Sequence, residues 1–196
     1  MLDRFSTIAA LIGAAAVALL LGLLVTSQVL ASRFAPGTVR AAQWQFWPRA
    51  GAPDADPYSL AIHARRGDLP LAPSEGLALF ATHDLSGSPL EGRCTYTVDG
   101  SVSSVRAWTL ALYTPKGELI QSTSSAAALS SSMAALLPGQ PLATLSPTIA
   151  AGNWLSAMHN QTFVIVLRLY DTSLTASAQG IDNARLPRVL RKGCEP

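Results

Sequence analysis

The chain has 196 residues and a formal net charge of +2, and only 13% of its residues are charged, which is about half the share usual in soluble domains. This length allows one domain with an appendage. The small net charge is untypical of nucleic-acid binding proteins, and no nucleic-acid partner is predicted.

The N-terminal segment, residues 1–31, is predicted to be a single transmembrane anchor. It contains an uninterrupted apolar run from Ile8 to Val25. Roughly 20 consecutive apolar residues are enough for a helix to cross the hydrocarbon core of a bilayer. A cleaved signal peptide ending at Ala31 is the alternative, although the apolar region of a signal peptide ordinarily has only about 7–15 residues.

The two cysteines bear on which side of the membrane the remainder of the chain occupies. Arg33, Arg40 and Arg49 follow the helix and favour the cytoplasm weakly, whereas a short N-terminal tail favours export. A disulfide between Cys94 and Cys194 would close a long loop, contributing about 4–5 kcal/mol in the chain-entropy model. Disulfides persist in oxidising compartments, so this pairing predicts export. Two separate buried thiols are the alternative.

Residues 32–55 are rich in proline and glycine and are predicted to be a linker. Three aromatic residues lie inside it, Trp44, Phe46 and Trp47. Aromatic rings with a polar edge favour the membrane interface, but the same rings would also close the core of a domain. The sequence leaves both interpretations open.

A short helix is predicted directly after the linker. Asp56 is suited to cap its N-terminus, and Pro57 is suited to its first position. Gly67 is a natural C-terminal stop.

The remainder, residues 56–196, is predicted to be one domain of short strands. Each strand is indicated by alternating apolar or β-branched residues between turn signals. The predicted strands are Gly76–His83, Arg93–Asp99, Val105–Tyr113, Glu118–Gln121, Leu142–Leu145, Gln161–Tyr170 and Pro187–Lys192. The segment Ser122–Pro138 fits a short helix or a loop equally well. Short strands with little helix predict a mainly β fold, an antiparallel β-sandwich.

From about Asp56 to Cys194 the chain resembles the family called domain of unknown function 1214. The resemblance rests on D-P-Y-S-L-A-I-H-A-R-R-G-D-L-P-L, E-G-L-A-L-F, P-L-E-G-R-C-T-Y, W-T-L-A-L-Y, G-N-W-L and F-V-I-V-L-R-L-Y-D-T. The segment Ser122–Pro138 departs from the family's pattern. In many such proteins the module follows another uncharacterised domain, and here an anchor stands in its place.

The resemblance implies a jelly-roll-like β-sandwich in a bacterial envelope protein, and it implies no activity. Together with the predicted anchor and disulfide, it predicts a single-pass protein of the bacterial inner membrane. The C-terminal domain is then expected in the periplasm.

Arg168 lies within the most apolar of the predicted strands. Its guanidinium offers five donors in a planar fork that suits a carboxylate or phosphate, which makes it a candidate ligand-binding group. A buried charge without a partner is too costly to persist, so a structural ion pair or a hydrogen bond to a loop carbonyl is the alternative. The carboxylates considered for that pair are Asp171, Asp99 and Glu91. The candidate ligand-binding residues are Arg168, Tyr170, Asn153, Trp154, Arg106 and Trp108.

No catalytic residue, metal site or cofactor is predicted. His63, His83 and His159 lack the close spacing with other ligands that metal sites usually show. A nucleophile elbow, a phosphate-binding loop and a dinucleotide fingerprint are all missing from the sequence. Trp154 fits a sugar-stacking platform, but a Trp that follows a turn more often plugs the end of the core.

Two functions remain open from the sequence. The first is a non-catalytic module that binds a partner protein or a glycan in the cell envelope. The second is an envelope enzyme acting on a lipid, a glycan or a small molecule, with Arg168 as its electrostatic element. An enzyme needs a titratable base within reach of a cleft. The chain has only twelve acids and three histidines, and the binding module is preferred.

Overall fold

The computed structural model describes residues 2–31, 37–67, 69–102, 105–123, 125–135, 138–157, 161–172 and 186–195. The helices are α1 (Leu2–Ala31) and α2 (Pro57–Arg66). The strands are β1 (Val39–Ala41), β2 (Trp44–Phe46), β3 (Gly76–Ala81), β4 (Cys94–Asp99), β5 (Val105–Tyr113), β6 (Ala128–Ser130), β7 (Ala143–Ser146), β8 (Trp154–Ser156), β9 (Val164–Thr172) and β10 (Arg188–Cys194).

The strands form two sheets. The first sheet has six strands in the order β1-β2-β3-β9-β5-β6, and the second has four in the order β10-β4-β7-β8. This confirms the predicted mainly β fold. All neighbouring strands are antiparallel except β7 and β8, which run parallel. The prediction of a wholly antiparallel fold is wrong at this pair, because Trp154, expected in a turn, begins a strand alongside β7.

The core lies between the two sheets. Leu79 and Leu167 from the first sheet share one buried cluster with Tyr96, Val98 and Leu145 from the second, and all five are fully shielded from solvent. Alternate residues of a strand point to opposite faces, so each sheet contributes one face to this cluster. Burying a large apolar side chain stabilises a fold by about 1.5–3 kcal/mol, so packing between the sheets is the main source of stability.

Part of the predicted linker belongs to the first sheet. Residues 39–46 form β1 and β2, and β2 pairs with β3. The side chains of Trp44 and Phe46 are fully buried in the main core, and Trp44 Nε1 donates to the carbonyl of Pro187 at 2.7 Å. The linker interpretation is therefore wrong for these residues, because burial of the aromatic rings outweighs the surrounding prolines and glycines. Of the two interpretations of the rings, core packing is the correct one.

The partner of β5 also differs from the prediction. Glu118–Gln121 was expected to pair along it, but only an isolated bridge joins Leu119 to Tyr113. On the side away from β9, the sheet neighbour of β5 is β6, which lies in the Ser122–Pro138 segment that fitted a helix or a loop. A three-residue strand in a serine- and alanine-rich run carries too little alternation to be recognised.

The predicted helix caps of α2 are confirmed. Asp56 accepts hydrogen bonds from the backbone N–H groups of Tyr58 and Ser59, and Pro57 occupies the first helical position. The helix ends at Gly67, whose φ of 66° is the left-handed conformation that glycine adopts most readily.

The N-terminal helix is long and apolar enough to cross a membrane. Its segment Ser6–Ala31 has 26 residues, and the most apolar window within it has a mean hydropathy of 2.8 and is not buried in the domain. The same properties fit a signal sequence. Near its C-terminal end, Leu30 packs against Trp47 and Ile62.

Cys94 and Cys194 are joined by a disulfide. They lie directly opposite each other at one end of the β4–β10 pair. The bridge therefore closes a strand pair that the backbone hydrogen bonds have already aligned.

Candidate functional site

A pocket lies on the outer face of the first sheet, the face turned away from the second sheet. About 420 Å³ lies within its walls, including the part open to solvent. Strands β3 and β9 form its floor, while α2 and the segment after it form one wall. The side chains that matter here are Trp47, His63, Leu69, Leu71, Phe80 and Arg168. We call it the outer-face pocket.

Arg168 reaches this pocket because of the alternation along β9. Ile165, Leu167 and Leu169 point into the core, so Arg168 points to the outer face, opposite Ala78 of β3. Its Nη1 donates to the hydroxyl of Tyr113 at 3.2 Å. Its guanidinium carbon lies 5.6 Å from the centre of that tyrosine ring, within cation–π range.

The ion pairs predicted as the structural alternative for Arg168 are not formed within the described part of the chain. Asp171 instead approaches Arg106 at 3.6 Å, and Glu91 pairs with Arg93 at 2.7 Å. The half-buried guanidinium is thus held by an aromatic ring and a hydroxyl, neither of which neutralises it. Such a cation is suited to bind an anionic group that enters the pocket.

His63 contributes an imidazole to the same pocket. Its side chain is buried, and its ring meets that of Trp47 edge-on with centroids 5.4 Å apart. Trp47 in turn meets Phe80 at 5.7 Å. None of the described residues that line the pocket carries a carboxylate. The pocket therefore offers one cation, one imidazole and an aromatic wall.

The other residues expected to act with Arg168 are dispersed. Tyr170 is half-buried two residues further along β9, opposite Gly76. Trp108 is buried in the main core. Arg106 is largely exposed, with Asp171 as its neighbour. Of the other five candidates, only Tyr170 shares the outer face of the first sheet close to Arg168.

Asn153 has a structural role beside the second sheet. Its amide donates to the carbonyls of Ala135 and Leu142, both at 3.0 Å, and its side-chain oxygen accepts from the backbone N–H of Ala135 at 2.9 Å. These three bonds fasten the segment after β6 to the start of β8. A side chain so fully engaged has little capacity left for a ligand.

Trp154 lies next to Asn153 on β8, and its alternate neighbour Leu155 enters the core. Its indole Nε1 donates to the backbone carbonyl and the hydroxyl of Ser146, at 3.2 and 3.1 Å. The ring is half-buried and fixed to β7. The ring therefore fits neither an exposed sugar-stacking platform nor a fully buried plug of the core.

A second polar cluster joins β10 to the turn after β3. The buried carboxylate of Asp84 accepts from the N–H and hydroxyl of Ser86, from the N–H of Ser88 and from Arg191 Nε. Burial raises the pKa of Asp84, but these hydrogen bonds and the charge of Arg191 outweigh it, so the net shift is downward. Burial also raises the pKa of Tyr96, over whose ring Arg191 lies. Every partner is internal, and we assign the cluster a structural role.

Among the residues that the structure describes, no group of three His, Cys, Asp or Glu side chains converges as a metal site would require. His159 lies outside the described residues. Sequence reasoning missed Trp47, His63 and Phe80 as members of the pocket. An aromatic cluster next to a predicted helix was a signal for Trp47. The sequence pattern, however, does not show which face of a sheet that cluster covers.

Comparison with known proteins gives a family and a fold. The model of the family described as "Protein of unknown function (DUF1214)" matches residues 75–174, just over half of the chain, including Arg168. No curated protein matches the chain.

Two solved structures resemble this one. The VPA0106 protein from Vibrio parahaemolyticus is 15% identical with a TM-score of 0.53, over 71% of this chain and 36% of that one. An uncharacterised protein from Burkholderia cenocepacia is 16% identical with a TM-score of 0.42, over 85% of this chain and 39% of that one. The chain thus spans well under half the length of either. The likeness to the Vibrio protein concerns the fold alone.

Proposed function

The chain belongs to the DUF1214 family, whose description names no activity, and from that premise we propose that it is a membrane-anchored, non-catalytic module of the bacterial envelope that binds a partner protein. The outer-face pocket is the proposed binding site. Residues 1–31 serve as the anchor, and the β domain, which includes β1 and β2, lies in the periplasm.

One observation carries this proposal: Arg168 lines a solvent-open pocket without a carboxylate partner among the described residues. A carboxylate from a partner protein, on a side chain or at a chain end, complements the guanidinium by charge and by shape. Phe80 and Leu71 provide apolar contacts for the rest of the bound segment. Interfaces are commonly anchored by one such charged group within an apolar surround.

A glycan is the other ligand class for the binding module. The interpretation as a glycan-binding module depended on Trp154 as an exposed stacking platform. The indole of Trp154 is instead half-buried and hydrogen-bonded to Ser146. This geometry favours a protein ligand.

The periplasmic assignment rests on the disulfide and on α1. A disulfide persists in an oxidising compartment, and α1 is long and apolar enough for an anchor. Protein recovered from its native host in the presence of an alkylating agent should therefore have both cysteines unlabelled. Labelling of both thiols would contradict the assignment.

The binding proposal is tested by photo-crosslinking in native membranes. A photoreactive residue replaces Leu71, which lines the pocket and is half-buried. We expect a cross-linked protein adduct from this chain and from its Arg106→Gln variant, whose substituted arginine is distant from the pocket wall. Arg168→Gln should abolish the adduct while the chain still inserts and folds. An adduct that survives Arg168→Gln, or none in any variant, contradicts the proposal.

An envelope enzyme is the second candidate, and one observation favours it: His63 and Arg168 line the same pocket. An imidazole is a common general base, and a guanidinium stabilises developing negative charge. Turnover of a lipid, glycan or ester library by the purified full chain, lost in His63→Gln and in Arg168→Gln, would support the enzyme. Turnover that His63→Gln leaves unchanged would exclude this mechanism.

A further inference from the structure

We infer that the exposed face of α2 lies on the surface of the bilayer that α1 crosses, so that the domain is attached to the membrane at two places. This inference rests on the proposed role of α1 as an anchor. It adds an orientation, because it turns the side of the domain that carries α2 and the wall of the outer-face pocket towards the lipid headgroups.

The first argument is the polarity of the exposed face of α2, which carries a leucine and a tyrosine, while a serine and a histidine are buried beside Ile62. Ser59 and His63 are buried, at 3% and 6% exposure. Leu60 is 48% exposed and Tyr58 37%. A surface helix normally buries its apolar side chains and exposes its polar ones. The arrangement on α2 suits an apolar or interfacial surrounding.

The exposed face continues past the end of the helix. Leu69, two residues beyond Gly67, is 92% exposed, and Arg65 is exposed on α2. Leucine and tyrosine side chains combined with a basic residue are typical of helices that lie in the membrane interface, where the cation meets anionic headgroups.

The second argument is the position of α1. Three side chains near its C-terminal end, Thr26, Val29 and Leu30, are half-buried, and Leu30 packs on Ile62 of α2. The 26-residue span Ser6–Ala31 is about 39 Å long at 1.5 Å per residue, whereas the hydrocarbon core is about 30 Å thick. The last turns of α1 therefore emerge at the headgroup layer. Because α2 contacts those turns, it lies in the same layer.

The inference is tested with the full chain in lipid nanodiscs of mixed zwitterionic and anionic phospholipid. Single cysteines carrying an environment-sensitive fluorophore are introduced by Leu60→Cys, Leu69→Cys, Val17→Cys and Ile149→Cys. All four side chains are exposed in the structure, so the labels do not disturb the core. Quenching is then measured with phospholipids that carry a quencher just below the headgroup or deep in the acyl chain.

We expect labels at positions 60 and 69 to be quenched severalfold more strongly by the shallow lipid than the label at position 149. This corresponds to burial roughly 5–10 Å into the interface. Strong quenching of position 17 by the deep lipid reports separately that α1 crosses the bilayer.

The outcomes separate the two ideas. If position 17 is quenched while 60 and 69 behave like 149, the anchor stands and the contact of α2 with the bilayer is refuted. A blue-shifted emission at 60 without lipid quenching would mean that a protein covers α2, which also refutes it. No quenching at position 17 overturns both the anchor and this inference.

Discussion

Arg191 Nε lies 2.9 Å from Asp84 Oδ2, across a sequence separation of 107 residues. The same guanidinium donates to the carbonyl of Pro89 and covers the ring of Tyr96. One side chain of β10 thus joins β4 and the turn after β3. This ion pair, whose carboxylate is buried, contributes to the response of the fold to acid.

We expect the free energy of unfolding to fall as the medium becomes acidic, in part through Asp84. Its pKa in the folded state is below the ordinary value of 3.8. The unfolded chain therefore binds this proton more readily than the folded one. The stabilisation is complete above the ordinary pKa and is lost as the pH falls through the lower folded value. Urea unfolding of the full chain in detergent, followed by tryptophan fluorescence, measures it between pH 7 and pH 2.

Asp84→Asn should lower the unfolding free energy by about 1–3 kcal/mol at neutral pH, because it removes the charge partner of Arg191. The difference from the unmodified chain should shrink in acid. Glu118→Gln is the matched control, since Glu118 is exposed and should leave the pH profile unchanged. An Asp84→Asn profile parallel to that of the unmodified chain would argue against this role.

The Cys94–Cys194 disulfide closes a loop with a sequence separation of 100. Replacing both cysteines by serine should lower the unfolding free energy by about 4–5 kcal/mol if chain entropy dominates. Denaturant unfolding with and without reductant measures this. The double variant should be insensitive to reductant, whereas the midpoint of the unmodified chain should fall. A midpoint that reductant does not move would show that the bridge adds no stability.

Gly76 lies at a close backbone contact between β3 and β9 that leaves no room for a side chain. A Cβ built there would lie 2.1 Å from the carbonyl oxygen of Leu169, which is backbone and cannot move aside. We expect Gly76→Ala to separate β3 from β9 and to destabilise the domain by about 1–3 kcal/mol or more. Gly193→Ala is the control, because nothing lies within 4 Å of its Cβ position. Equal thermal unfolding midpoints for the two variants would contradict the prediction.

Asn153→Ala should destabilise the domain without affecting ligand capture at the outer-face pocket. The substitution leaves the N–H and carbonyl of Ala135 and the carbonyl of Leu142 without their side-chain partner. Loss of such bonds typically costs about 1–3 kcal/mol where the groups are shielded from water. Photo-crosslinking from position 71 should persist at a temperature where the variant remains folded. Loss of the adduct under those conditions would indicate that Asn153 belongs to the binding site.

Sequence reasoning succeeded where the local signal is long. The nine residues of β5 were predicted to the residue, and β9 differs by a few residues at each end. The caps of α2 were also correct, because Asp56 and Gly67 act through the backbone beside them. Alternation and helix capping depend on residues that are close in the sequence, so a single sequence is enough to predict them.

The failures concern relations between distant segments. β2 was missed because three residues in a proline-rich stretch show no period, and only the indole of Trp44 meeting Pro187 reveals why they are ordered. The candidate site failed for the same reason. Arg168 was identified from one strand, but its neighbours His63 and Trp47 reach it from other elements. The spacing of residues along the sequence does not show which distant side chains will pack together on one face of a sheet.

The pairing of β4 with β10 has a consequence for the timing of synthesis. When β4 leaves the ribosome, neither of its two partners has been translated; β7 follows first, and β10 is complete only after roughly 90 further residues. At about 5–20 residues per second, at least one hydrogen-bonding edge of β4 therefore stays open for several seconds or more. Completion of the second sheet is therefore a late event, and an exported nascent chain would need protection from neighbouring chains until Arg188–Cys194 has arrived.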